Sequence, residues 1–214
     1  MAKNGREESA KTQVLYDRIA DVQNLAMKIN GYRKSVAKYL KSLDLNIGPN
    51  SLVLDAGCGT GIVSLGFHDA GYRAGRIIAL DLSSKSLAVA RDEFMDRRRL
   101  ARRSEVVQAN VLKMPFDDET FDLLLMCGVL EYAPLDQGLG EASRVLKKGA
   151  PLVLLPVKPS IVGSVLELLY NFKIHPLKKV REAAGKYFNI LGNHEFPANE
   201  PISWSKTIFL LEKK

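Results

Sequence analysis

Apolar residues recur at helical spacing from residue 12 to residue 44 and then gather into short unbroken runs. Residues 12–44 therefore predict one or two helices. Val14, Leu15, Ile19, Val22, Leu25, Ala26 and Ile29 share one stripe, Gly31 breaks it, and Val36, Tyr39, Leu40 and Leu43 resume it. Gly48-Pro49-Asn50 ends the helical region. Beyond it the period changes. Runs at 51–56, 76–81, 105–109, 121–127 and 151–155 read as strands. The stretches 61–70, 84–98 and 135–146 between them read as helices, the second opening on Ser84 as its N-cap.

The strand runs are nearly continuous rather than alternating, as in a parallel sheet covered on both faces. Regular exchange of strand and helix argues for a doubly wound α/β sheet. The last third of the chain differs. Ile161, Val165, Leu168, Leu169 and Phe172 mark an apolar helix stripe, which His175-Pro176 interrupts. Residues 177–184 predict a further short helix, closed by Gly185 at its C′ position. Residues 187–191 and 204–211 read as strands with only a proline-containing loop between them, so they should pair antiparallel.

A length of 214 residues, 46% hydrophobic and 26% charged, suits one domain with a buried sheet. No apolar run reaches the length of a membrane span, and residues 1–13 lack an apolar signal core, so residues 1–11 read as a mobile tail and the cytoplasm as the compartment. Cys58 and Cys127 then read as reduced thiols near a ligand rather than a disulfide. His68, His175 and His194 are scattered, so no metal site is expected. The net charge is +7, concentrated at Arg97, Arg98, Arg99, Arg102 and Arg103 and at Lys173, Lys178, Lys179 and Arg181. Such patches attract nucleic acid or anionic lipid, and a solvated basic surface explains them as well.

The segment Val53-Leu54-Asp55-Ala56-Gly57-Cys58-Gly59-Thr60-Gly61 follows a strand and opens a helix. Its glycines permit a sharp turn and close approach of a ligand. Asp55 suits an ammonium-bearing ligand and would repel a pyrophosphate, and the Gly-x-Gly-x-Gly spacing differs from the Gly-x-Gly-x-x-Gly of dinucleotide binders. Asp81 ends the second strand, where a carboxylate can accept hydrogen bonds from two ribose hydroxyls. Asn110, after the third strand, offers both a donor and an acceptor to an adenine edge.

With these motifs in order, residues 51–155 resemble the class I S-adenosyl-L-methionine (SAM)-dependent methyltransferases, in particular the ubiquinone/menaquinone C-methyltransferase type. The 53–61 segment is similar to the family's first motif and Ala79-Leu80-Asp81-Leu82-Ser83 to its next. Residues 121–132 are similar to the fourth-strand motif, and Arg144-Val145-Leu146-Lys147-Lys148-Gly149 to the Arg-Val-Leu-Lys-Pro-Gly-Gly turn. Asn110 stands where the family often has Asp, and Met114-Pro115-Phe116 where it often has Leu-Pro-Phe. Lys148 and Ala150 depart from the usual Pro and second Gly, which bears on a local turn only.

The resemblance implies a Rossmann-like, doubly wound seven-stranded sheet, mostly parallel with an antiparallel C-terminal strand, plus N-terminal helices and an inserted lid helix. It implies one domain over 1–214: a helical lid at 12–44, a SAM-binding core at 51–156, a lid insertion and helix at 157–185 and a β-hairpin at 186–214. Asp55 and the Gly57 backbone, with Cys58, Gly59 and Gly61 in the same turn, would hold the methionine end. Asp81 would hold the ribose, Leu82, Asn110 and Val111 would frame the adenine, and Cys127 would lie beside the methionine. Tyr16 and Arg33 are candidates for the SAM carboxylate.

Methyl transfer from a sulfonium is an in-line displacement by an already activated donor, so a protein supplies mainly alignment and exclusion of water. A general base is needed only for a protonated nucleophile. Glu131 and Tyr132, just after the fourth strand, are candidates, against roles as a structural partner and a pocket wall. Residues 121–132 contain neither the Asn/Asp-Pro-Pro-Tyr/Phe run of adenine and glutamine N-methyltransferases nor a Pro-Cys, which disfavours nucleic acid as substrate. Ile161, Val162, Val165, Leu169, Tyr170 and Phe172 either line an apolar acceptor pocket or pack on the sheet, and Lys158, Lys173, Lys178 and Lys179 flank them, suited to a lipid headgroup or a carboxylate.

The expected function is methyl transfer from SAM to a small, apolar, quinone- or lipid-like acceptor, with peripheral membrane contact left open. The alternatives are an RNA or protein methyltransferase using the basic patch, a non-catalytic SAM-binding module, and a nicotinamide-dependent oxidoreductase.

Overall fold

The apolar runs pair side by side into one sheet. The computed structural model describes residues 31–214. Its strands are β1 (Leu52–Ala56), β2 (Arg76–Asp81), β3 (Ser104–Gln108), β4 (Leu123–Cys127), β5 (Pro151–Leu155), β6 (Phe188–His194) and β7 (Ile208–Lys213). They stand in the order β3-β2-β1-β4-β5-β7-β6. The first five are mutually parallel, and β7 runs antiparallel to both β5 and β6. The mostly parallel seven-stranded sheet expected from the sequence is the one formed.

Successive strand residues point to opposite faces, and both faces are covered. Val53, Leu123, Leu125 and Val153 enter one core, Leu54, Leu124, Met126 and Leu152 the other, and each is fully buried. That is why the strands carry no polar alternation. The first core is closed by α1 (Tyr32–Ser42), α2 (Ile62–Asp69), α3 (Ser84–Met95) and the short α4 (Arg98–Ala101), through Val36, Leu40, Phe67, Phe94 and Leu100. The second is closed by α5 (Leu135–Val145) and α7 (Leu177–Tyr187), through Leu139, Val145, Val180 and Ala184. The chain leaves β1 toward β2 on one side and β4 toward β5 on the other. The carboxyl ends of β1 and β4 therefore flank a topological switch point, the usual ligand crevice of such sheets.

Four local expectations are corrected. The N-cap of α3 is Ser83, whose hydroxyl accepts from the Ser86 N–H at 3.0 Å, not Ser84. The helix from Ser84 ends at Met95, and a separate short helix, Arg98–Ala101, follows because Arg97 takes an extended conformation between them. Gly185 does not end α7: the helix runs to Tyr187 and passes directly into β6, and Gly185 is absent from the positive-φ glycines. Residues 201–204 form a 3₁₀ turn, Pro201–Trp204, so the last strand begins only at Ile208. Proline at the turn's first position favours that helical start over a strand.

The insertion after β5 contains α6 (Ile161–Tyr170), which does not pack on the sheet. Ile161 is 87% and Leu168 84% exposed, and Val162, Val165 and Leu169 are exposed as well. Tyr16 and the stripe from Val14 to Ile29 lie outside the described residues.

Candidate active site

The glycine turn is built for two different reasons. Gly57, Gly59 and Gly61 all have positive φ, at 73°, 52° and 79°. A Cβ on Gly57 would lie 2.2 Å from a Val129 methyl, and one on Gly61 2.7 Å from the Phe94 ring. Those two glycines are required by packing. Among the described residues a Cβ on Gly59 would meet nothing within 4 Å, so this residue faces open space there. The turn is anchored to β2, where the Leu80 carbonyl accepts from the N–H groups of Gly57 and Cys58 at 2.7 and 2.9 Å.

Asp55 is fully buried at the end of β1. Its Oδ2 accepts from both the N–H and the hydroxyl of Ser64, at 3.0 and 2.6 Å, in the first turn of α2. Its Oδ1 is buried with no hydrogen-bond partner among the described residues. Burial pushes its pKa up to about 7, against the two Ser64 bonds, which pull it down, and the charge of Asp81 adds to the rise. A buried, half-satisfied carboxylate is costly unless a donor reaches it. The second carboxylate, Asp81, spans the turn: Oδ2 accepts from the Gly59 N–H at 2.8 Å and Oδ1 from the Ser83 N–H at 2.9 Å.

The remaining candidates divide. Leu82 and Val111 are half-buried, Leu82 directly after Asp81 at the end of β2 and Val111 in the turn that follows β3. Asn110 closes a turn on itself, its Oδ1 accepting from the Leu112 N–H at 2.9 Å, so its side-chain carbonyl is engaged. Cys127 ends β4, its Sγ 3.5 Å from the Tyr32 hydroxyl. Both cysteines are free thiols, and burial pushes both up, Cys58 well above its usual range. Arg33 is committed elsewhere, its Nε donating to Asp69 at 2.5 Å, at the end of α2 remote from the glycine turn.

Glu131 is buried in a 3₁₀ turn, Leu130–Tyr132, after β4. One carboxylate oxygen accepts from the Val157 N–H, and Oε2 is buried without a hydrogen-bond partner among the described residues. The Tyr132 ring packs edge-on to Phe172 at 5.3 Å. His175 contacts the Leu130 carbonyl through Nε2 at 3.1 Å, and His194 packs against Tyr39. Lys158 pairs with Glu195 at 2.7 Å.

Sequence reading passed over two residues of this rim. Tyr32 comes from α1 and is buried against Cys127. Lys206 precedes β7 and is 6% exposed, with its Nζ directed at Gly128. Neither sits in a motif, and each reaches the crevice from an element remote in sequence.

The arginine patch lies elsewhere. Arg73, Arg98, Arg99, Arg102 and Arg103 surround a cavity of ≈ 600 Å³ beside Pro49 and Ile77, at the amino ends of the strands. Among the described residues no cluster of His, Cys, Asp or Glu could hold a metal, and no helix is long and apolar enough to cross a membrane.

Fold and site together define a methyltransferase domain, and the pattern of the family described as "Methyltransferase domain" matches residues 54–154. A demethylmenaquinone methyltransferase of Shouchella clausii is 31% identical over 169 residues, 78% of this chain and 68% of that protein. A ubiquinone/menaquinone biosynthesis C-methyltransferase of Laribacter hongkongensis is 32% identical over 177 residues, again 78% of this chain and 68% of that one. Among solved structures, geranyl diphosphate C-methyltransferase from Streptomyces coelicolor, crystallised with S-adenosyl-L-homocysteine, shares the fold with a TM-score of 0.69 and 19% identity, over 83% of this chain and 78% of that one. The chain belongs to the class I SAM-dependent methyltransferases.

Proposed function

We propose that this methyltransferase takes its methyl group from S-adenosylmethionine and delivers it to a small, apolar, quinone- or lipid-like acceptor. The observation that carries the reading is the pair formed by Asp55 Oδ1, buried and without a hydrogen-bond partner among the described residues, and Gly59, whose Cβ position is open among them, at the switch point of the sheet. An ammonium-bearing ligand satisfies the first and fits against the second.

The bound donor supplies a methyl group already activated on a sulfonium. Asp55 and the Gly57 backbone hold the methionine ammonium, with Cys58, Gly59 and Gly61 shaping the turn and Cys127 alongside. Asp81 receives the ribose hydroxyls. Leu82, Val111 and the amide group of Asn110 frame the adenine. Arg33 reaches the methionine carboxylate only if its bond to Asp69 opens, and Tyr16 stays a candidate outside the described residues. Glu131 Oε2, buried near Cys127, is the group able to take a proton from the acceptor, and Tyr132 forms a wall with Phe172.

An apolar acceptor is supported by the names of the two bacterial relatives and by α6, which leaves the carboxyl end of β5 with Ile161, Val165, Leu168 and Leu169 exposed. The same face suits peripheral contact with a membrane that carries such an acceptor. Two free thiols fit a reducing compartment, the cytoplasm. The extent of the domain, 1–214 with a lid at 12–44 and another at 157–185, belongs to the same reading. An RNA substrate gains nothing from the arginine cavity, which sits at the opposite end of the sheet.

Isotope-labelled SAM incubated with the chain and a cell lipid extract tests the proposal. Label in an organic-phase product supports it. SAM binding without transfer to any fraction makes the chain a binding module, and calorimetric binding of NAD(P) but not SAM overturns the cofactor assignment.

A further inference from the structure

The cavity at the amino ends of the strands takes no part in the chemistry proposed above. Arg73, Arg98, Arg99, Arg102 and Arg103 line it together with His68, and no Asp or Glu does among the described residues. Two separate segments supply the charge. Arg73 lies in the turn between α2 and β2, and the other four lie on α4 and on the step from α4 into β3. Carboxylates of the neighbouring elements are held by other cations: Asp69 by Arg33, Glu93 by Arg97 and Glu105 by Arg76. Asp92 and Asp96, at the end of α3, do not line the cavity. None of the five arginines has a carboxylate within 4.0 Å among the described residues.

Two of the guanidinium groups are aimed by the backbone. Arg73 Nη1 donates to the His68 and Tyr72 carbonyls at 3.3 and 2.9 Å, and Arg103 Nη1 to the Ala74 carbonyl at 3.1 Å. These bonds orient the charges without neutralising them. Arg98, Arg99 and Arg102 are exposed and make no hydrogen bond or ion pair among the described residues. Like charges around one concavity repel each other, and an anion seated among them relieves that repulsion. His68 is a second, independent sign of a ligand. Both of its ring nitrogens are buried without a hydrogen-bond partner among the described residues, the Asp69 carboxylate standing 3.7 Å from Nδ1. Burial and the Arg73 charge hold its pKa below the usual range, so at neutral pH the ring keeps one N–H to donate. A buried polar atom left unbonded is costly, and an oxygen acceptor in the cavity removes that cost.

Size and charge narrow the ligand. A volume of ≈ 600 Å³ is that of a small-molecule site. One phosphate monoester brings a charge of about −2, which balances fewer than half of five guanidinium groups. Planar guanidinium groups take phosphate oxygens in pairs, so adjacent phosphates use the cluster more fully. We infer that this cavity binds a small molecule carrying two or more adjacent phosphate groups, at a site separate from the methyl-transfer crevice. Ile77 of the cavity and Asp81 of the crevice stand near opposite ends of β2, about 13 Å apart at the rise of a strand. The inference stands independently of the methyl acceptor.

The test titrates the full chain with pyrophosphate and with orthophosphate at fixed ionic strength, with and without S-adenosylhomocysteine, and reads binding by calorimetry. Pyrophosphate should bind about tenfold or more tightly than orthophosphate, and S-adenosylhomocysteine should leave its affinity unchanged. The combined change Arg98→Ala, Arg99→Ala and Arg102→Ala should lower pyrophosphate affinity about tenfold or more. Its melting temperature should stay at the wild-type value, since none of the three side chains holds another described group. Lys178→Ala with Lys179→Ala, an exposed basic pair on α7, should leave pyrophosphate affinity unchanged. Absent binding of pyrophosphate, equal binding of the two anions, or displacement of pyrophosphate by S-adenosylhomocysteine overturns the inference. An equal loss in the lysine variant overturns it too, because the anion would then be reading net charge and not a site. Retention of single-stranded RNA or of phosphatidylglycerol vesicles that the arginine variant loses, with pyrophosphate unbound, makes the patch a surface for polyanions and likewise overturns it.

Discussion

Ser64 gives both its backbone N–H and its hydroxyl to one oxygen of Asp55, at 3.0 and 2.6 Å, and leaves the other oxygen buried and without a hydrogen-bond partner among the described residues. The bonded oxygen is a fixed anchor and the other is the group that meets the ligand. Asp55→Asn keeps the shape and removes the charge, so SAM affinity should fall about tenfold or more, the scale of 1.4 kcal/mol. Calorimetry measures it, and unchanged affinity removes Asp55 from the cofactor site.

The same carboxyl sets a pH dependence. Burial raises its pKa from the usual 3.8 to about 7. In the unfolded chain the group loses its proton near 3.8, whereas in the fold it keeps the proton until about 7. Over that window the native state binds more protons, so this group's contribution to stability falls as pH rises from about 4 to about 7. Ligand binding runs the other way. The ionised carboxylate is the form that pairs with an ammonium, so SAM affinity should rise with pH up to about 7 and then level. Melting curves with and without SAM between pH 5 and 8 should therefore diverge as pH increases. A parallel pair of curves would contradict the assignment.

Gly57 and Gly59 separate packing from binding. An alanine at 57 places a methyl 2.2 Å from Val129, at φ +73°. Gly57→Ala should cost about 1–3 kcal/mol of stability, as overpacked sites do. Adding Val129→Ala should recover part of the loss, because the two side chains collide directly. Gly59→Ala bears only the strain of φ +52°, about 1 kcal/mol, yet its methyl enters the open space of the crevice. It should lower SAM affinity more than it lowers the melting temperature. Thermal melts and calorimetry on the three variants distinguish these outcomes.

The division between legible and hidden follows from where the information is stored. β1, β4 and β5 were readable because a doubly covered strand is apolar nearly throughout, and Leu123, Leu124, Leu125 and Met126 have no polar alternative. Asp55, Gly57, Gly59 and Asp81 were readable because one short turn and one strand end place them, with little help from the rest of the chain. Gly185 misled, since a glycine near a helix end is a common stop, yet here α7 is held by Val180 and Ala184 in the core and tolerates it. The α6 stripe was legible as a helix but not in what it meets. Its apolar period is helical, but no partner surface covers it among the described residues, and periodicity does not say what a face will meet. Tyr32 and Lys206 were hidden because their positions depend on how α1 and β7 dock beside β4 and β5, a matter of tertiary structure alone.

The two thiols offer a chemical check on the crevice. Burial is the main cause that pushes both up, and for Cys58 the charges of Asp81 and Asp55 add to it. Alkylation needs the thiolate. In the native chain at pH 7.5 both cysteines should react with iodoacetamide more slowly than in the urea-unfolded chain, because burial holds each thiol above its ordinary range and so lowers its thiolate fraction. Peptide mass spectrometry reads each site separately. Fast labelling of Cys127 would mean that the rim is open and its thiol ionised, contrary to its place beside Tyr32.

Arg144 explains one motif in physical terms. From α5 it donates to both oxygens of Glu141 at 2.8 Å, to the Phe116 and Met114 carbonyls at 2.8 and 3.1 Å and to Asp118 at 2.7 Å. Glu141 in turn accepts from the Met114 N–H at 2.6 Å. Glu141 lies below the usual carboxylate range mainly because of the Arg144 bonds. One guanidinium thus fastens the loop before β4 to the helix after it. Arg144→Ala should cost about 1–3 kcal/mol, a range reduced for its partial exposure. That corresponds to about 2–4 °C of melting temperature per kcal/mol for a chain of this size. Arg144→Lys should rescue little, because a point charge cannot serve two carbonyls and two carboxylates at once. The loop starts just after Asn110 and Val111, so loosening it should also weaken SAM binding, by less than Asp55→Asn does. A variant that melts like the wild type would show that the loop is held by Phe116 and Met114 packing rather than by this knot.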